Sequence, residues 1–73
     1  MTWRDDCWEV VSREWDVGEQ FTLDDFYRFE GELTRKHPAN SHVRDKMRQQ
    51  LQVLRDEGRV RFVDDHGTYQ RRR

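Results

Sequence analysis

A stripe of hydrogen-bonding side chains in the second half of the chain is the place where recognition chemistry is densest. Ser41, Asp45, Arg48, Gln49 and Gln52 fall on one face of a helix at 100° per residue, with Arg44 and Lys46 at its two margins. These residue types suit the edges of base pairs. Arginine can donate twice to guanine O6 and N7, and glutamine can pair with adenine N6 and N7. Ser41, Arg44, Asp45, Arg48 and Gln49 lie in the N-terminal turns, where a helix seated in the major groove reaches bases, and Gln52 follows one turn later. Lys46, and Arg61 further along, are better placed for phosphates, which position a protein without reading sequence. A solvated helix face uses the same residues, because Arg and Gln are also good surface helix formers.

Catalytic constellations are missing from the sequence. His37, His42 and His66 stand on separate segments and Cys7 is far from all three, so no zinc cluster forms by spacing. The four glycines are isolated, which leaves no phosphate-cradling loop. A two-carboxylate nuclease motif needs an acid two positions before a lysine; Lys36 and Lys46 are preceded there by Thr34 and Arg44. Neither a catalytic residue nor a metal or other cofactor is expected. Cys7, the single cysteine, allows no intramolecular disulfide and reads as a small core residue.

The elements that must position the stripe can be read from periodicity. Trp3, Cys7, Val10 and Val11 recur at helical spacing, with Trp8 and Trp15 widening the apolar arc, which predicts a first helix over residues 3–16. Residues 21–23 form a short extended piece. Thr22 and Asp25 then match a capping box, and Asp24 with Asp25 favours a helix start over a metal site. The second helix is predicted over 24–36, burying Leu23, Phe26, Tyr27 and Leu33 with Phe29 on the flank. Pro38 forces His37 out of helical geometry, and Asn40 or Ser41 caps a third helix over 41–57, whose core face is Val43, Met47, Leu51 and Leu54. Gln50 falls on that same face. After Gly58 the period becomes two: Val60 and Phe62 alternate with Arg59 and Arg61, and Asp64-Asp65-His66-Gly67 reads as the turn of a hairpin over 59–70. The expected fold is α+β and mainly α, a single winged helix-turn-helix domain over 1–73 with three helices, a short strand and a C-terminal β-hairpin wing.

Charge is polarised along the chain. The net of −1 combines residues 1–39, with five Arg/Lys against ten Asp/Glu, and residues 40–73, with nine against five. A basic second half points to a polyanion, and the acidic first half can instead face a protein partner. A protein-interaction module on the same scaffold is therefore the alternative to DNA binding. No apolar run is long enough for a membrane span or a signal peptide, so a soluble cytoplasmic protein is expected.

The same residues carry a resemblance. Phe21-Thr22-Leu23 with Tyr27, Phe29 and Leu33, then His37-Pro38-x-Asn40, resembles the C-terminal domain of the Dam-replacing family. Its most specific part is Arg44-x-Lys46-x-Arg48-Gln49-Gln50-Leu51-Gln52-x-Leu54-Arg55-Asp56-x-Gly58, followed by Phe62 and Gly67-x-Tyr69. In that family the domain is a winged helix joined to a separate nuclease domain, in methyl-directed restriction endonucleases of the DpnI kind. The resemblance implies duplex DNA as partner, a preference for sites containing N6-methyladenine, and a groove-facing position for Arg44, Lys46, Arg48, Gln49 and Gln52. The nuclease portion is absent from this chain, so cleavage does not carry over.

Overall fold

A computed structural model describes residues 2–64 and 66–73; the predicted turn residue Asp65 lies outside the described residues. Four helices and three strands follow in the order α1 (Trp3–Glu14), β1 (Gln20–Thr22), α2 (Leu23–Tyr27), α3 (Glu30–Lys36), α4 (Val43–Asp56), β2 (Val60–Phe62) and β3 (Thr68–Arg71). This is an α+β winged helix-turn-helix. The strands form one antiparallel sheet in the order β1-β3-β2, so the last strand pairs with both others.

Local chemistry explains most element ends. Thr2 caps α1 by accepting from the Asp5 N–H at 3.1 Å. Helix α1 stops at Glu14, earlier than its apolar pattern suggests, because Trp15 turns to extended geometry and stacks its indole on Phe21 at 4.2 Å. Thr22 and Asp25 form the full capping box at the start of α2. Gly58, at φ 75°, ends α4: the Arg59 N–H reaches back to the Leu54 carbonyl and the Gly58 N–H to Arg55.

Two expectations are corrected. The single helix over 24–36 is divided, with Arg28 and Phe29 making tight three-residue-spaced bonds to the carbonyls of Asp25 and Phe26. Tyr27 and Phe29 lie on opposite sides of a regular helix, yet both are partly buried against the core; the local tightening accommodates them, and Gly31 just beyond is a weak helix former. The helix expected from residue 41 begins at Val43. Asn40 Oδ1 accepts from the His42 N–H at 2.7 Å, which keeps Ser41 in the turn and leaves His42 as a cap without a side-chain bond.

The core lies between α1, α4 and the inner face of the sheet. Cys7, Val10, Val11, Phe26, Leu33, Met47, Leu51 and Leu54 are fully buried, with Val60 and Phe21 nearly so. Burial, helped by the neighbouring Asp6 charge, pushes the Cys7 thiol up to about 12. Arg71 ties the end of the sheet to α1, donating through Nη1 to the carbonyls of Trp15 at 2.7 Å and Ser12 at 3.2 Å.

Candidate nucleic-acid interface

Helix α4 buries Val43, Met47, Leu51 and Leu54, and this fixes what points outward. Asp45, Arg48, Gln49 and Gln52 are exposed along its opposite face, and Gln50 is half-buried on the core side. Arg48 and Gln52 form a crest between two hollows. One, of about 520 Å³, opens beside Asn40, His42, Asp45, Lys46 and Gln49. The other, of about 610 Å³, separates α4 from the β2–β3 hairpin and the start of α2.

The second hollow is a groove with three walls. Arg48 and Gln52 supply the α4 wall, Thr22, Leu23 and Asp24 the α2 wall, and Phe62, Asp64, His66, Gly67 and Tyr69 the hairpin wall. Hydrogen bonds hold the walls in place. The Leu23 N–H donates to the Gly67 carbonyl at 2.8 Å, and the Val63 N–H to Thr68 at 2.9 Å. Gly67 sits at φ 83°, a left-handed conformation that side chains rarely adopt, so this corner favours glycine.

Charge is distributed unevenly around the groove. Among the described residues Arg48 has no ion-pair or hydrogen-bond partner, while its charge faces the Tyr27 and Tyr69 phenols. Burial pushes both phenols up and the Arg48 charge opposes it. At the hairpin end, the backbone N–H of His66 at 2.8 Å holds the Asp64 carboxyl below the usual carboxylate range, so this end stays negative.

The other expected contact residues are arranged differently. Arg44 donates through Nε to Glu30 at 3.2 Å and lays its guanidinium over the Tyr27 ring at 4.9 Å. Lys46 donates to Gln49 at 3.3 Å, one turn along the same helix. Arg61, on the outer face of the sheet, donates to Gln70 at 2.6 Å. Ser41 is exposed in the turn before α4. Asp45, Arg48, Gln49 and Gln52 thus share one surface, with Lys46 beside it, whereas Arg44 is turned back toward α2 and α3 and Arg61 belongs to the sheet.

The sequence matches the family described as the Dam-replacing HTH domain over residues 2–71. The chain belongs to this Dam-replacing HTH family. Membership in a helix-turn-helix family points to DNA as the partner. For this Dam-replacing HTH domain, no described helix is long and apolar enough to cross a membrane. No group of three His, Cys, Asp or Glu side chains among the described residues is placed to hold a metal ion.

Several groove residues escape a reading by periodicity. Phe62 shares the Val60 face of the strand and so looks like core, yet it is 40% exposed at the groove. Asp24 reads as a cap neighbour and Asp64 as a turn residue. Only the contact between hairpin and α2 brings them to one site, and no local signal announces it.

The acidic first half pairs largely with itself. Arg13 grips Glu32 with two bonds of 2.9 Å, Lys36 lies 3.3 Å from Glu9, and Arg4 lies 3.4 Å from Asp5. Each consumes negative charge that a basic partner would otherwise meet.

Proposed function

We propose that this domain binds duplex DNA by seating α4 in the major groove, with Asp45, Arg48, Gln49 and Gln52 facing base edges. The observation that carries this reading is the state of Arg48: exposed on the crest and without a partner among the described residues, while Arg44 and Arg61 are held by neighbours. A guanidinium left unpaired beside two glutamines is equipped for bidentate bonding to a base, worth about 1–3 kcal/mol of discrimination. Lys46, Ser41 and the uncapped backbone N–H groups at the start of α4 would meet phosphates, as would Arg61 from the sheet. We extend the proposal to a preference for sites containing N6-methyladenine, which the resemblance to methyl-directed restriction endonucleases implies.

Fluorescence anisotropy with labelled duplexes at rising salt tests the reading. Affinity is expected to fall linearly with salt on logarithmic axes, as counterion release requires. Arg48→Ala should weaken binding by roughly ten- to a hundredfold, the equivalent of the bond energy above, with an unchanged melting curve. Salt-insensitive binding, or an Arg48→Ala variant that binds like the parent, overturns it.

A further inference from the structure

Strand pairing aligns Phe21, Tyr69 and Phe62 as one row across the inner face of the sheet. Exposure rises along this row from 2% at Phe21 through 5% at Tyr69 to 40% at Phe62. The first two rings fill the core. The third emerges in the groove opposite Arg48 and Gln52.

The Phe62 ring is held rather than loose. Tyr69 meets it edge-on at 4.9 Å, and the Arg55 guanidinium covers part of it at 4.5 Å from the ring centre. The backbone on either side is fixed by pairing with β3 and by the Val63–Thr68 bond. An apolar surface is therefore presented at a constant place between hydrogen-bonding side chains. A single exposed aromatic is unremarkable by itself; its position beside two side chains suited to base edges gives it a specific complement.

That complement must be apolar, small, and adjacent to hydrogen-bonding atoms. On the major-groove edge of a duplex the apolar groups that fit are methyls, and phenylalanine is among the side chains that contact them. We propose that Phe62 is a specificity-determining residue that receives a base-borne methyl while Arg48 and Gln52 engage the polar edge beside it. The assignment rests on the placement of α4 in the major groove. Two sources share this chemistry, the C5 methyl of thymine and the N6 methyl of a modified adenine.

The test uses the full chain and a set of duplexes that together carry every tetranucleotide, each prepared with thymine or uracil and with adenine or N6-methyladenine. For the tightest-binding duplex, removing the methyl that Phe62 receives should weaken binding about fourfold, the equivalent of burying one methyl-sized group at ~0.8 kcal/mol. The uracil arm and the methyladenine arm identify which methyl it is. Phe62→Gln should erase that difference, and Phe62→Leu should retain part of it. On the unmutated protein, a nuclear Overhauser contact between the Phe62 ring and the base methyl is expected whether or not the variants fold. Equal methyl discrimination in Phe62→Gln, or no such contact, overturns the inference. If the parent binds no duplex, or Arg48→Ala binds normally, the placement of α4 fails and Phe62 with it. Duplex binding that depends on Arg48 but ignores both methyls sinks the Phe62 assignment alone.

Discussion

His37 Nε2 lies 2.6 Å from Asp6 Oδ2, joining the first turn of α1 to the residue that ends α3. Asp6 is 1% exposed, its Oδ1 has no hydrogen bond, and the nearest other cation, Lys36, stands 3.9 Å away. Trp3 stacks on the imidazole at 4.1 Å and closes the pair from the other side. A buried carboxylate stripped of its partner is costly, so His37→Ala should lower stability by about 3 kcal/mol. For a chain of this size that corresponds to a melting temperature lower by roughly 15 °C. Thermal unfolding followed by circular dichroism measures it, and His37→Gln, which keeps a donor, should recover part of the loss.

Arg44 and Arg48 differ by one helical turn and should differ in consequence. With its guanidinium on Tyr27 and its Nε on Glu30, Arg44 braces α4 against α2 and α3. Arg44→Ala is expected to cost about 1 kcal/mol of stability, the usual worth of an exposed cation–π contact with a surface ion pair. Its effect on duplex affinity should be smaller than that of Arg48→Ala. Paired melting and anisotropy measurements on the two variants separate bracing from reading.

Acid should loosen the domain through two carboxylates. The Thr22 N–H holds the Asp25 carboxyl below the ordinary carboxylate range, and the Arg13 fork does the same for Glu32. Groups depressed in the folded state contribute stability that is complete above their unfolded values and lost as pH falls through the folded ones. Melting temperature should therefore decline below the ordinary carboxylate range, and the decline should be shallower in Asp25→Asn. At neutral pH, Thr22→Ala should cost about 1 kcal/mol by removing the cap.

Much of the architecture was legible because it rests on local rules. The four-residue rhythm of Val43, Met47, Leu51 and Leu54 orients α4, the Thr22–Asp25 pair marks the start of α2, and Gly58 marks where the helix ends. The exposure of Arg48, Gln49 and Gln52 follows from the same rhythm. What sequence could not convey is what stands across from each face. The division at Arg28 and Phe29 depends on where Trp15 and the core receive aromatic rings. The late start of α4 depends on Asn40 choosing the His42 N–H. Arg44 looks like Arg48 until Tyr27 and Glu30 are seen beside it, and Phe62 looks like Val60 until the hairpin is placed.

Because β3 sits between β1 and β2, the two outer strands never touch one another. A chain cut between Phe62 and Thr68 would keep every helix and yet leave both remaining strands without a mate. It would also lose Tyr69 from the hairpin wall of the groove and the Arg71 clasp on α1. Tags or linkers belong outside this segment, and a nick at the hairpin should dismantle the whole unit rather than trim its edge.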